Sequence, residues 1–347
     1  MAAVGTDLAD LSFDLYSRHR ILQVVAESVR RSHSPPALDV LDVGGFPCYA
    51  PRFLPSDRVV VADVIDPNGP APSPRYVRAD GATLPFANGS FDVVSSLDSL
   101  EHVPPHRREA YVAELLRVSR GHVLILAPFA QPETELAERV LAAFVRVFDQ
   151  EESPQLEEHH TYGLPELGSC VELIRSQGFG CVSFPSGYVY NWLPMMLVKY
   201  YLVALPDTLD LHHALDRFYN TMLQASDARA PGYRQCILAA RDAESSVLRD
   251  VAATLAPAEP PDRLEVLERM AQVDLLLKLA DLHVKWRRDE ALREDVLAKD
   301  RHIANLAALL AAERGRVDAL EAHVQAIQDG RAMRTLSAIN RLLGRGS

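Results

Sequence analysis

Cysteine is scarce in this chain of 347 residues: Cys48, Cys170, Cys181 and Cys236 are scattered, with no CxxC pair and no histidine at ligand spacing. That excludes a cysteine-based metal motif and predicts four reduced core thiols in a cytosolic protein. Basic runs are missing from the first 240 residues, and the net charge is −11. A phosphate backbone needs clustered Lys and Arg, so a nucleic-acid partner is not expected. Long apolar runs are missing too. The opening MAAVGTDLADLSFDL carries acids where a signal peptide needs a basic start and an apolar run, so no export leader is expected. The most apolar later stretch, residues 192–206, is too short to span a bilayer and contains Pro194, Lys199 and Pro206.

What is present is the balance of a globular protein, 48% hydrophobic and 24% charged, long enough for one α/β domain and an appendage. Leu8, Leu11, Leu15, Leu22, Val25 and Val29 recur at helical spacings and predict an amphipathic helix that ends before SHSPP, within an N-terminal cap of residues 1–35. Five short apolar runs follow: ALDVLDV, RVVVADV, RYVRAD, FDVVSSL and HVLILAP. Continuous β-branched runs separated by crossover lengths indicate parallel strands covered by helices on both faces. Beyond Pro128 the pattern predicts a helix over residues 133–148, a polar loop DQEESPQLEEHHTYGLPE, a helix over 171–177 and strands around 181–184 and YRQCILAAR. The expected fold is α/β: a doubly wound, mostly parallel, seven-stranded sheet over residues 36–243. An aromatic insertion at residues 188–220 sits in an expected helical lid of residues 188–225, although Trp192, Met195 and Met196 within it read more often as core than as acceptor pocket.

Composition changes after residue 243. Residues 244–261, ending in APAEPP, are expected as a linker to a long helical coiled coil over 262–347. There Leu292, Val296, Ile303, Leu306, Leu310, Val317, Leu320, Val324 and Ile327 follow a heptad register, interrupted only by Lys299 and Glu313. Leu275, Leu279, Leu282 and Trp286 keep a repeat in shifted phase, which predicts a stammer or break near residue 289. The closing MRTLSAINRLLGRGS is basic and amphipathic. It fits either peripheral contact with an anionic membrane surface or a frayed coiled-coil end.

In an open parallel sheet the ligand lies outside the carboxyl ends of the strands. Four acids stand at such ends. Asp42 closes the first strand and precedes Val43, Gly44 and Gly45, where a glycine turn lets backbone approach a ligand and an acid can accept from a cationic amino group. Asp63 ends the second strand at the spacing where a carboxylate chelates ribose hydroxyls. Asp80, followed by Gly81, ends the third, and Asp98 follows the fourth.

VLDVGG, VVVADV, RADGATLPFANGSFDVVSSLDSLEHVP and HVLILAPF, in that order over residues 38–129, resemble the successive motifs of class I S-adenosylmethionine-dependent methyltransferases. EHHTYGLPELGSCVELIRSQGFG is similar to a later part of the same group, and the coiled-coil tail lies outside it. The resemblance implies a Rossmann-like fold and S-adenosylmethionine as cofactor. It puts Asp42, Gly44 and Gly45 at the methionine part, Asp63 and Val64 at the ribose, Asp80 and Gly81 at the adenine edge, and Asp98 near the sulfonium. One loop departs from the pattern: where the family reads acid-x-Gly-x-Gly-x-Gly, this chain reads Asp42, Val43, Gly44, Gly45, Phe46, Pro47, Cys48. A nicotinamide dehydrogenase would need a G-x-G-x-x-G helix start for its pyrophosphate, which residues 43–49 lack, and Asp42 would repel phosphate.

Methyl transfer asks the protein to align and to exclude water; it calls for no metal. A hydroxyl acceptor needs a base, and His102, His159 and His160 are the candidates, with Asp98 beside them. For His102 a structural role, capping or buttressing the helix after the fourth strand, stands before a catalytic one. His159 and His160 read equally as bases or as solvated loop residues. Tyr16, Arg18 and Arg20 either close over the cofactor or line a solvated helix face. The expectation is a cytosolic methyltransferase acting on a small-molecule or glycan-type acceptor, such as a surface polysaccharide, and held in a homo-oligomer or on a partner by its coiled coil. The irregular loop leaves a second reading, a non-catalytic scaffold.

Overall fold

The computed structural model describes residues 7–67, 75–147, 154–203, 208–256 and 263–342. A short 3-10 turn, Leu8–Asp10, precedes α1, Phe13–His33. Then come β1 (Asp39–Val43), α2 (Ala50–Phe53), β2 (Arg58–Asp63), β3 (Tyr76–Arg78), β4 (Phe91–Leu97), α3 (Arg108–Val118) and β5 (Ser119–Ala127). The second half adds α4 (Pro132–Val147), α5 (Pro154–Tyr162), α6 (Leu167–Ser176), β6 (Gly180–Tyr188), α7 (Val189–Val203), α8 (Leu209–Phe218), β7 (Gly232–Ala240) and α9 (Ser246–Leu255). Two helices end the described chain: α10, Arg263–Asp329, and α11, Arg331–Leu342.

The seven strands form one sheet in the order β3-β2-β1-β4-β5-β7-β6. All pairs are parallel except β5 with β7 and β7 with β6. Alternate side chains of β1, β4, β5 and β7 point to opposite faces, and both faces are covered. On one side Val40, Val93, Leu124 and Leu238 pack under Leu22, Val25 and Val29 of α1 and under Val247 and Val251 of α9. On the other, Leu41, Val94, Ile125 and Ile237 pack under Val112 and Leu115 of α3 and Ile174 of α6. Burial on both faces is why these strands read as unbroken apolar runs. The doubly wound, mostly parallel sheet of seven strands is the fold expected.

Several boundaries differ. The polar stretch expected as a loop carries α5, because Leu156 and His159 lie three residues apart on one face and turn inward together. Residues 246–255, expected in the linker, form α9 and bury Val247, Leu248 and Val251 in the sheet core. The expected lid does not behave as a cover. Trp192 stacks on Tyr233 with ring centroids 3.6 Å apart, Phe13 stacks on Tyr219 at 4.4 Å, and these residues with Met195 and Leu141 make a third core. Large aromatic faces gain more from that burial than from a mobile surface position.

The C-terminal segment from Asp281 onward is a separate unit. Of the stammer or break expected near residue 289, the break is absent: α10 runs unbroken, with no proline and Gly315 as its one glycine. Leu292, Ile303, Leu306, Leu310, Leu320 and Ile327 are exposed along it, at 52–65% of their full surface. In α11, Leu336 and Ile339 are exposed as well. Residues 257–261 of the expected linker, residue 262 of the expected coiled coil and 343–347 of the basic end lie outside the described residues, as do the side chains of Leu275, Leu279, Leu282 and Met333.

Candidate functional site

The chain moves outward from β1 to β2 and β3, then crosses back to place β4 on the other side of β1. That reversal opens a crevice at the carboxyl ends of the strands. Register puts Asp42 between Val61 and Ser95, and Val43 between Ala62 and Ser96, so the four strand ends finish at one level. A cavity of about 620 Å³ lies there. Asp42, Gly44, Gly45, Asp63, Val64, Asp80, Gly81, Asp98 and His102 all line it, together with Leu15, Arg18 and His19 of α1. Its size falls in the range of about 300–1,000 Å³ usual for small-molecule sites.

Asp42 lies under the glycine turn. Its Oδ1 accepts from Ser95 Oγ at 2.7 Å, while Oδ2 is buried without a partner. Burial pushes its pKa up to about 6, against the opposing hydrogen bond from Ser95 and the charge of Arg18. The turn over it requires both glycines. Gly44 has φ +77 and its N–H donates to Ala62 O at 2.7 Å; a Cβ there would meet Ser99 Oγ at 2.1 Å. A Cβ on Gly45 would lie 2.2 Å from Asp42 Oδ2. Cys48 N–H then donates to Gly45 O at 2.7 Å, closing the loop within four residues. The tight turn accounts for the missing later glycines.

Asp63 accepts from Phe46 N–H at 3.0 Å and from Ile65 N–H at 3.1 Å, which fixes its carboxylate at the rim. Beside it Val64 and Ile65 are exposed at 61% and 43%, an apolar pair facing the opening. Asp80 accepts from Ala82 N–H at 2.9 Å and from Arg107 Nη2 at 2.7 Å, and these contacts hold its pKa below the usual carboxylate range. Gly81 leaves room for Tyr111, whose ring a Cβ would meet at 2.2 Å.

The opposite wall is an ion network. Asp98, in the left-handed region at φ 50, accepts from Arg234 Nε and Nη2 and from Arg18 Nη1, each at 2.6 Å. Arg234 Nη2 also donates to Asp14 at 2.8 Å, and Trp192 Nε1 donates to the other oxygen of Asp14 at 2.7 Å. Burial alone would raise the Asp14 pKa, but Arg234 and Arg18 outweigh it and hold the group at about 2. Two acids and two arginines therefore balance, and Asp98 has no oxygen free to act as a base. Arg18 is the inward member of its helix; Tyr16 packs on Phe53 and Arg20 pairs with Glu27.

The three candidate bases separate. His102 lines the cavity from the 3-10 turn Leu100–His102, with Nδ1 2.7 Å from Glu158 Oε2. It does not cap α3; it buttresses α5. Burial, then the neighbouring His159, pushes its pKa down. His159 is buried on α5, not in a loop at the opening, with Nδ1 2.8 Å from Glu138 Oε1, which also accepts from Tyr233 Oη at 3.1 Å. His160 is exposed and does not line the cavity. Sequence reasoning passed over Asp14, Glu101, Glu138, Glu158 and Arg234. The usable signal was Arg234 itself, a charge inside the strand run YRQCILAAR that had to find a buried partner.

A family model described as a methyltransferase domain matches residues 57–126, which run from the start of β2 to the end of β5. An uncharacterized methyltransferase of Mycobacterium sp. (strain KMS) is 40% identical over 117 residues, covering 30% of this chain and 46% of that protein. One from Mycobacterium marinum (strain ATCC BAA-535 / M) is 36% identical over 151 residues, covering 39% and 54%. The chain thus spans about half the length of the curated relatives it matches. Among solved structures, magnesium protoporphyrin IX methyltransferase from Synechocystis PCC 6803 with bound SAH aligns at 12% identity and TM-score 0.38, over 66% of this chain and 86% of that one. Residues 57–126, the stretch from β2 to β5, are thus similar to a methyltransferase domain, and the strand order and the ligand-sized crevice at the switch point fit that likeness.

Proposed function

We propose that the whole chain is an S-adenosylmethionine-dependent methyltransferase acting on a small-molecule or glycan-type acceptor, as in surface polysaccharide modification. The observation that carries this reading is the convergence of Asp42, Gly44, Gly45, Asp63, Asp80 and Gly81 on one cavity, with the Asp42 Oδ2 left over under the glycine turn. A buried carboxylate oxygen without a partner calls for a cationic group nearby. In this reading the ammonium of the cofactor would supply one, Asp63 would meet its ribose, and the exposed Val64 and Ile65 would give an apolar contact for its base. When bound, S-adenosylmethionine would supply an electrophilic methyl group that passes from its sulfonium to the acceptor, the C–S electron pair staying on sulfur and the acceptor's proton leaving to solvent or a base. The chain's own work is positional. α1 closes one side through Leu15, Arg18 and His19, and the Asp98 network locks that helix to β4 and β7, which shapes the acceptor side and excludes water.

Calorimetry with S-adenosylmethionine and S-adenosylhomocysteine tests the proposal. Binding by the wild type that weakens at least tenfold in Asp63→Ala is expected; no binding, or binding untouched by that change, overturns it and favours the scaffold. The exposed stripe of α10 supports a coiled-coil homo-oligomer, since apolar heptad positions left in water gain from a partner helix. The acidic balance, −11 overall, supports an acceptor other than nucleic acid and a cytoplasmic site of action, with the basic α11 as the part suited to touch a membrane surface.

A further inference from the structure

Behind the acceptor side of the cavity, Glu101, His102 and His159 each offer a ligand atom, and these atoms lie within 4.8 Å of one another. We infer that this trio is a binding site for a divalent first-row transition ion, with open coordination positions facing the cavity. Two features set it apart from an ordinary polar cluster. First, two of the three residues hold a buried atom without a partner: Glu101, 1% exposed, leaves Oε2 so, and His159, 6% exposed, leaves Nε2 so. A buried polar atom in that state costs free energy unless something occupies the space between. Second, both imidazoles are oriented from behind. Glu158 holds His102 by Nδ1 at 2.7 Å, and Glu138 holds His159 by Nδ1 at 2.8 Å. In each ring a carboxylate on Nδ1 leaves Nε2 as the donor lone pair, which is the arrangement that fixes metal-ligating histidines.

The geometry needs little change. His102 Nε2 lies 3.9 Å from Glu101 Oε1. Ligands about 2.1 Å from one ion stand about 3–3.5 Å apart, so a small rotation of side chains closes the site. Two imidazoles and one carboxylate favour an ion such as Zn²⁺ or Mn²⁺ over Mg²⁺, which prefers an all-oxygen shell. The neighbouring guanidinium groups are engaged elsewhere: Arg18 and Arg234 are held on Asp98, and Arg108 donates to the backbone carbonyls of Glu101, Val103 and Gly163. Three protein ligands leave at least one position open, and His102 lines the cavity there. An acceptor hydroxyl reaching that position would lose its proton more readily. This last step rests on the methyltransferase reading; the ion site itself does not.

The test uses the full chain stripped with a chelator and then titrated with ZnCl2 or MnCl2, with metal content measured after dialysis. One ion per chain is expected, with MgCl2 binding at least tenfold more weakly, and nitrogen hyperfine coupling to histidine in the pulsed electron paramagnetic resonance spectrum of the Mn²⁺ form. Glu101→Gln and His159→Ala should each abolish stoichiometric binding. Glu138→Gln, which touches no ion, should weaken it about tenfold or more. Circular dichroism melts confirm that each variant is folded; if His159→Ala is not, Glu101→Gln, which keeps the side-chain shape, decides. No stoichiometric ion in the wild type, ions that persist in folded Glu101→Gln, or a Mn²⁺ spectrum without nitrogen coupling would overturn the site. S-adenosylhomocysteine calorimetry on the metal-free wild type keeps the two proposals apart: cofactor binding without an ion refutes only this inference, and an ion without cofactor binding refutes only the methyltransferase reading.

Discussion

The two walls of the cavity are held by different physics. On the wall of β1 to β3, Asp63 is set by backbone N–H groups of Phe46 and Ile65, and Asp80 by Ala82 N–H and the half-exposed Arg107. On the wall of β4, Asp98 is set by two arginines, one on α1 and one on β7, 80 and 136 residues away in the chain. The first wall depends on local turns and survives small shifts of its neighbours. The second is a buried charge network, stable only while every member is present.

Arg234→Met should show the largest effect, because it leaves Asp98 and Asp14 facing each other with Arg18 alone. A loss of about 3–5 kcal/mol in urea unfolding is expected. Adding Asp98→Asn should recover part of it, and a double variant as weak as the sum of the two singles would show that the wall is not a coupled network.

Asp42→Asn probes the first wall with the opposite sign. The folded pKa of Asp42 is pushed up to about 6, so the native state holds a proton that the unfolded chain releases near its ordinary value of 3.8. Stability therefore falls as pH rises from about 4 to 6, and above that window the ionised group carries its full burial cost. Asp42→Asn should raise stability at pH 8 by on the order of 2 kcal/mol and change it little below pH 4, while weakening S-adenosylhomocysteine binding. Thermal melts across pH read the first effect and calorimetry the second; a gain independent of pH would contradict the account.

Asp63→Ala should cost about 1–2 kcal/mol in stability, the worth of two backbone hydrogen bonds to a carboxylate, well below the Arg234 effect. Equal losses at both positions would erase the contrast between the walls. The smallest change in domain stability is expected from Ile303→Lys with Leu310→Lys on the exposed stripe of α10. The melt of the sheet domain should hold, while light scattering should show the mass falling to that of one chain; an unchanged mass would remove the coiled coil from the assembly.

Much of the first wall could be read in advance. Asp42, Gly44, Asp63 and Asp80 each follow an apolar strand run, and a parallel sheet brings strand ends to one level whatever else surrounds them. The heptad spacing of α10 was equally legible, and of the stammer or break expected near residue 289 only the break is absent, because a shift in apolar phase does not interrupt backbone hydrogen bonds. For residues 188–225 the core reading of Trp192 and Met195 fits the packing better than the lid, and only the structure could show that Trp192 stacks on Tyr233 and donates to Asp14.

By itself the sequence determined the strand ends, the glycine turn over Asp42 and the periodicity of the tail, all properties of residues near one another along the chain. Only the tertiary structure decided which charges meet. Arg234 reaches Asp98 and Asp14, and His159 reaches Glu138, His102 and Glu101, because β7 returns antiparallel beside β5 and α5 folds back over the end of β4. Burial makes such pairings strong and specific, and no spacing along the chain encodes them.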